Sequence, residues 1–285
     1  MTATDQVAYE KGVRPRYAVL TFAAAILIVV SQLIQLSGPK SSVSELTIDL
    51  ILAHQRYPLD LIGAIVDAFG LIALAVALAW LQQISRARSE QQPRFIRWLA
   101  LIGGPLSGVM AIAYAIVIAS KANEFVSTGN QTYLEAKHLT SGGLVIALPL
   151  LAQLGSFLLA GGVIWISLNA MRVGLLPKLL GWVGVFAGAF VLFPIGAIVP
   201  VVQGFWLAAV AVVIYGRWPQ GTPPAWEQGV AVPWPAAQRA SQPPAREPRQ
   251  RRGRQAAPAA VAVSDDPPPT PRTGGGAKRK RKRRR

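Results

Sequence analysis

Apolar residues in this chain come in long uninterrupted blocks, not in alternation or in one-sided helical stripes. Six blocks stand out, at 17–36, 59–81, 95–119, 141–171, 176–195 and 199–215. A helix rises about 1.5 Å per residue and needs about 20 apolar residues to cross a hydrocarbon core of about 30 Å. The pattern therefore predicts an all-α, polytopic membrane helix bundle of six spans. The fourth block is over-long and the sixth is the shortest. Blocks five and six are parted only by Pro194, Ile195 and Gly196, with Pro200 close behind. Together they hold about twice the residues of one crossing, so two helices with a tight turn are expected.

The connections carry some order of their own. Residues 44–57 read as a short amphipathic helix with Leu46, Leu50 and Ala53 on one side, ended by Pro58. Residues 123–139 are polar, with Gly129 as a turn and a glycosylation sequon at Asn130-Gln131-Thr132. The first block is longer than the 7–15 apolar residues of a signal peptide, and no small-x-small cleavage site follows it before Pro39. It reads as a retained anchor helix.

Charge orients the bundle. With the N-terminus inside, the inner segments hold Lys11, Arg14, Arg16, Arg86, Arg88, Arg94, Arg97, Arg172 and Lys178. The outer segments hold Lys40, Arg56, Lys121 and Lys137. Short loops rich in Lys and Arg stay on the cytoplasmic side. This predicts a cytoplasmic segment 1–16, a transmembrane domain 17–216 and a cytoplasmic C-terminus.

The remainder of the charge is concentrated at one end. The 285 residues carry a net +16. Residues 217–285 contribute 16 Lys+Arg against 4 Asp+Glu, a net +12, in a stretch dominated by Pro, Gln, Ala and Arg. Such a composition lacks the apolar area to offset its ordering entropy, so 217–285 is expected to be a disordered, polybasic tail. Two clusters mark it: Arg246, Arg249, Arg251, Arg252 and Arg254, then Lys278, Arg279, Lys280, Arg281, Lys282, Arg283, Arg284 and Arg285. Cations near an anionic leaflet contribute about 1 kcal/mol each. Nucleic-acid phosphates are the rival partner, and with no aromatic among the terminal cations any such binding would be sequence-indifferent.

Composition removes many chemistries. There is no Cys, and both His lie outside the apolar blocks. Disulfides, Cys-ligated metals and thiol catalysis are excluded. No P-loop, His-Glu-x-x-His or Gly-x-Ser-x-Gly motif occurs, and no cofactor is implied.

Asp67 is the one clear charge inside an apolar block. It lies eight residues beyond Leu59, about 12 Å along the helix. A carboxylate at such depth costs about 2.5–3.5 kcal/mol on insertion scales, which protonation or a partner would reduce. No Lys or Arg on another span offers a partner, whereas Gln32, Tyr114, Gln153, Ser156 and Gln203 offer hydroxyls and amides. Two readings stand: a proton or cation site, or a neutral acid hydrogen-bonding between helices. Asp60 shares the face of Asp67, flanked by Gly63 and Gly70, so this face is expected to point into the bundle.

Small residues recur at helical spacing, as Gly104-x-x-x-Gly108 and Gly184-x-x-x-Gly188, with Gly155, Gly161 and Gly162 in the fourth block. They suit close packing within the chain, or a homo-oligomer through one such face. Pro105 and Pro149 fall inside predicted helices. Trp80, Trp98, Trp182 and Trp218 are placed near inner ends and read as interfacial anchors.

The stretch Arg172-Val-Gly-Leu-Leu-Pro-Lys-Leu-Leu-Gly-Trp-Val-Gly-Val-Phe-Ala-Gly resembles a pattern that opens the fifth span of uncharacterised bacterial six-span membrane proteins, a domain-of-unknown-function class. The order of spans and helical outer loops over residues 15–217 is similar too. The resemblance implies a six-span fold in a bacterial inner membrane, and it carries no catalytic residues. The long basic tail departs from the compact members of that class.

Three functions compete. The first is a non-enzymatic multi-pass membrane protein whose tail engages anionic lipid or nucleic acid at the cytoplasmic face. The second is a small transporter or channel with a proton or cation site at Asp67. A membrane-embedded enzyme is third, because only one acid is evident where intramembrane catalysis needs several converging polar groups.

Overall fold

The computed structural model describes residues 3–192, 198–219 and 221–232. Among these residues every regular element is a helix. The long ones are α1 (Ala3–Ser37), α3 (Leu59–Arg88), α4 (Ile96–Ser127) and α6 (Gly143–Arg172), each long and apolar enough to cross a membrane. The shortest of the four has 30 residues, about 45 Å at 1.5 Å per residue, so each extends past a 30 Å core. Two further apolar helices are shorter: α7 (Lys178–Leu192) with 15 residues and α8 (Ile198–Tyr215) with 18. Three small helices complete the fold: α2 (Leu46–Arg56), α5 (Tyr133–Thr140) and α9 (Pro224–Gln228).

The six apolar helices form a closed ring. Around it α1 packs on α3, α3 on α4, α4 on α6, α6 on α7, α7 on α8, and α8 returns to α1. Missing side chains make the closest contacts. A Cβ on Gly104 would lie 2.6 Å from the Leu71 carbonyl, and one on Gly108 would lie 2.7 Å from the Ala68 Cα, both on α3. A Cβ on Gly103 would lie 2.7 Å from the Gly155 carbonyl, so α4 and α6 touch backbone to backbone. Gly184 faces Ser167 and Trp206, and Gly188 faces Ile164. Gly104, Gly108, Gly155, Gly184 and Gly188 thus face the chain's own helices, whereas Gly161 meets only the end of Leu99. Pro105 and Pro149 lie inside continuous helices.

A separate cap sits at the end of the ring where α4 finishes. Leu50 of α2, Ala122 and Phe125 of α4, and Ala136 and Leu139 of α5 form a small buried cluster, with Leu46 and Ala53 packed against it. The apolar side of the predicted amphipathic helix is the side that packs. Thr132 caps α5 by accepting from the Glu135 backbone N–H, a Ser/Thr-x-x-Glu start.

Several boundaries differ from the sequence expectation. Residues 3–16 are helical and continuous with the first apolar block, since α1 runs unbroken from Ala3 and carries Lys11, Arg14 and Arg16. Gln6 donates to Glu10 across one turn at 2.8 Å, and Glu10 is itself held by Arg88. Pro15 only frees the carbonyl of Lys11, an exposed residue that water can satisfy. The helix of the third apolar block, α4, runs past 119 to Ser127, where Phe125 packs into the cap.

The largest correction concerns the start of the tail. Residues 217–285 were expected to be disordered, yet within them the described stretch 221–232 packs on the body. Pro-Ala-Trp-Glu-Gln forms α9, closed by Gly229 at φ 68°, and Trp226 is fully buried. One Trp supplies the apolar area that the surrounding composition lacks. All described residues fall in the unit Met1–Gln242. The clusters at Arg246–Arg254 and Lys278–Arg285, and the turn at Pro194, lie outside the described residues.

Candidate functional site

Asp67 reaches its partner through the register of α1 on α3. Gly70 packs against Ile28, and Gly63 against Ile34 and Gln35. Between these two contacts Asp67 comes opposite Ser31. Ser31 Oγ lies 2.9 Å from Asp67 Oδ1 and 2.8 Å from the carbonyl oxygen of Ile28. A serine hydroxyl has one hydrogen, so it can donate to only one of these acceptors at a time. A proton on Asp67 would satisfy both contacts: the acid donates to Ser31 Oγ, and Ser31 donates to Ile28.

Asp67 borders a cavity of about 320 Å³ at the centre of the ring. Every apolar helix contributes a wall. Ile28, Gln32 and Gln35 come from α1, Asp67 and Leu71 from α3, and Ser107 from α4. Ser156 and Leu159 come from α6, Phe190 and Val191 from α7, and Val199, Pro200 and Gln203 from α8. The cavity lies toward the end of the bundle where α1 and α7 finish and α8 begins. Opposite Asp67, Ser107 Oγ and Ser156 Oγ are 2.9 Å apart. Ser156 also donates to the Ala152 carbonyl at 3.1 Å, which makes Ser107 the donor between the two serines.

Of the partners offered by sequence, Gln32, Ser156 and Gln203 line this cavity with Asp67, while Tyr114 and Gln153 do not. Asp60 is drawn away. Arg56 pairs with it at 2.8 Å and also donates to the Gln35 carbonyl. The arrangement offers a carboxylate, hydroxyls and amide oxygens with no cation among the lining residues. These are hard oxygen donors, suited to a proton or a small hydrated cation. The volume sits at the lower end of ligand pockets, about 300–1,000 Å³. Among the described residues no group of three His, Asp or Glu gathers as a metal site would require.

Sequence reasoning missed Ser31 by one residue, naming Gln32 instead. A signal was present. Thr21, Ala24, Ala25, Ile28 and Ser31 repeat at helical spacing and are all buried, a small-residue stripe matching the Gly63–Gly70 face.

The opposite end of the bundle holds a second polar centre that the sequence did not reveal. Arg88 and Glu10 form a fully buried bidentate pair, with Nη1 and Nη2 donating to the two carboxylate oxygens at 2.8 and 2.6 Å. Arg88 Nε and Nη2 also donate to the Ala225 carbonyl at 3.0 and 2.9 Å. Trp226 Nε1 donates to the Leu175 carbonyl at 3.0 Å, and the Arg14 guanidinium covers the indole at 4.4 Å. Trp80 lies between Tyr17, stacked at 4.1 Å, and Trp226, at 6.0 Å. Trp80 is therefore a core residue and not an interfacial anchor. Trp218 packs against this core too, whereas Trp98 and Trp182 are exposed on the outside of the bundle. The end of the segment is pinned where Val232 N–H donates to the Val173 carbonyl at 3.2 Å. Together these contacts close the end of the ring away from Asp67.

Comparison with family models, with curated proteins and with solved structures finds no match for this chain.

Proposed function

We propose that this is a six-span integral membrane protein of a bacterial inner membrane, with both termini cytoplasmic, that passes a proton or small cation through the Asp67 cavity. The observation that carries the reading is convergence: all six apolar helices contribute to one cavity, and among the described residues that line it the charged one is the carboxylate Asp67. Structural acids between two helices do not require three further helices, α4, α6 and α8, to present Ser107, Ser156 and Gln203 to them.

Six crossings are supported by where the ends meet. Arg14 Nε donates to the Ile214 carbonyl at 2.9 Å, which sets the end of α8 beside the beginning of α1. An even number of passes then separates them. The described parts of α7 and α8 span about 22 and 27 Å at 1.5 Å per residue, and in the sequence the apolar block 176–195 continues past Leu192. The loop asymmetry in Lys and Arg puts the Arg14 end inside. The likeness of residues 172–188 to uncharacterised bacterial six-span proteins supports the compartment.

The chemistry follows from Ser31. A proton arriving on Asp67 leaves Ser31 free to donate to Ile28, and its departure returns the hydroxyl to the carboxylate. The site can thus load and unload without leaving a buried acceptor empty. In this conformation the load would come from the side of α2 and α5, because α9 and the Arg88–Glu10 pair close the other end.

A second reading coexists with the first. The eight consecutive cations at 278–285 support engagement of anionic lipid or nucleic acid at the cytoplasmic face, independent of the cavity.

The test is ion flux into liposomes holding the full-length protein and a pH-sensitive dye. Wild-type protein should dissipate an imposed proton or monovalent-cation gradient, and Asp67→Asn should abolish this while eluting as the same monodisperse species. No flux from the wild type, or equal flux from Asp67→Asn, overturns the reading.

A further inference from the structure

The outer face of the α1–α8 contact carries a groove of about 520 Å³. Its floor is made by the two smallest facing residues, Ala18 and Ala211, both buried, and its walls by Val19 and Phe22 of α1 with Val212 and Tyr215 of α8. Val19 and Phe22 are exposed on a helix long enough to span a membrane, so the groove opens toward lipid chains. Its end is not apolar. Gly216 adopts φ 85° and reverses the chain, with Gly216 N–H bonding the Val213 carbonyl and Arg217 N–H the Val212 carbonyl. This Schellman turn needs a left-handed residue, which glycine supplies without strain. Its effect is to bring Arg217 back over Tyr215, with the guanidinium 5.4 Å from the ring and at the mouth of the groove.

Arg217 is exposed, and among the described residues no carboxylate pairs with it. The neighbouring, half-buried Arg14 adds a smaller positive charge, offset by Glu10 and Glu227. Its Nη2 is buried, has no hydrogen-bond partner, and lies 3.5 Å from where a Cβ on Gly216 would sit. Glu10, the acid one turn before Arg14, is committed to Arg88.

We propose that this groove is a binding site for one anionic phospholipid, with an acyl chain lying on Ala18 and Ala211 and the phosphate held by Arg217. The apolar trough ends at a cation and an aromatic edge, which is the order of groups along a phospholipid at the head-group boundary. The charge selects the head group. A choline or ethanolamine cation would sit against Arg217, whereas a phosphoglycerol head group brings only negative charge. The site is distinct from the Asp67 cavity and does not depend on ion passage.

The experiment uses full-length protein in nanodiscs doped with a phospholipid carrying a diazirine on one acyl chain, once with a phosphoglycerol and once with a phosphocholine head group. Labelled peptides are mapped by mass spectrometry. Anionic lipid gathered by the basic tail would raise labelling on every lipid-facing helix, so the groove peptides at 18–22 and 211–215 are read relative to exposed Val109 and Ile116 of α4. The expected result is about a five-fold preference for phosphoglycerol at the groove, lost in Arg217→Gln with α4 labelling unchanged. Equal labelling by the two head groups in the wild type, or a preference that survives Arg217→Gln, overturns the proposal.

Discussion

Ser31 and Asp67 meet across the α1–α3 interface with Ser31 Oγ 2.9 Å from Asp67 Oδ1. The contact is a hydrogen bond between spans, and its alternative in an apolar medium is an unpaired polar group. Such bonds couple by about 0.6 kcal/mol on average and up to about 1.7. Asp67→Asn keeps an acceptor at the same place, so it should shift the unfolding midpoint little. Ser31→Ala should lower stability by about 1 kcal/mol, and the cycle with Asp67→Ala should return a coupling in the range above. Thermal unfolding in one detergent measures all four proteins. Additive single effects would mean that the two groups do not interact.

The Arg88–Glu10 pair is the reverse case, with charges fully removed from solvent. Removing one partner of a buried pair costs about 3–5 kcal/mol, because the other is left uncompensated. Arg88→Met or Glu10→Leu alone should therefore unfold well before the wild type. The double variant should recover most of the loss, since an apolar pair of similar volume packs without a desolvation cost. It will not recover all of it, because Arg88 also holds the Ala225 carbonyl. A double variant as weak as the worse single would refute the ion-pair account.

How much of this was legible in the sequence follows the range of the signals. The apolar blocks and the packing side of α2 were readable because helix periodicity is local. Asp67 was readable because a charge in an apolar run stands out, but its cavity was not, since only the ring brings Gln32, Ser156 and Gln203 together. Glu10 and Arg88 lie 78 positions apart, each in a stretch that reads as an ordinary basic flank, so nothing local joins them. For α9 a local signal existed and was outweighed by composition. Pro224 opens the helix and Gly229 closes it, a Pro-first and Gly-last arrangement around a lone Trp.

Contact between α4 and α6 depends on the absence of side chains at Gly103 and Gly155. Gly155→Val would place a branched side chain where the Gly103 carbonyl now sits, 2.9 Å from the new Cβ. Backbone cannot yield as a flexible side chain does, so the helices must separate. Overpacking of this kind costs about 1–3 kcal/mol or more. Gly143→Val meets nothing within 4 Å and serves as the control. Unfolding curves that do not separate the two would show that α4 and α6 are less closely packed than described.

Absence of Cys makes the topology directly testable by single-cysteine labelling. Glu90, Asn130 and Gln228 are exposed, and none of them takes part in the cores. In intact cells a membrane-impermeant maleimide should label Asn130→Cys and spare Glu90→Cys and Gln228→Cys until the membrane is opened. Gly196→Cys, between the fifth and sixth blocks, should behave like Asn130→Cys. Protection at position 196 would reduce the crossings to four.

Trp226 decides whether the closure at the Arg88 end is rigid or can open. Its indole is fully buried, hydrogen-bonded to Leu175, and packed between Trp80 and the Arg14 guanidinium. Truncating such a residue costs about 3–5 kcal/mol when the whole fold depends on it. Here the segment 221–232 is short and hangs on few contacts: Trp226, the Ala225 carbonyl on Arg88, and Val232 on Val173. Its local opening should require less free energy than global unfolding. Trp226→Ala should then free the segment without unfolding the ring. Amide exchange at 221–232 should rise strongly, while α3 and α6 stay protected and the global midpoint falls by less than for Arg88→Met. Trp226→Phe keeps one aromatic ring while losing the bond to Leu175 and part of the buried volume, so its exchange should lie between wild type and Trp226→Ala. Exchange that rises equally in α3 and α6 would mean that α9 is an integral part of the core and not a closure laid over its end.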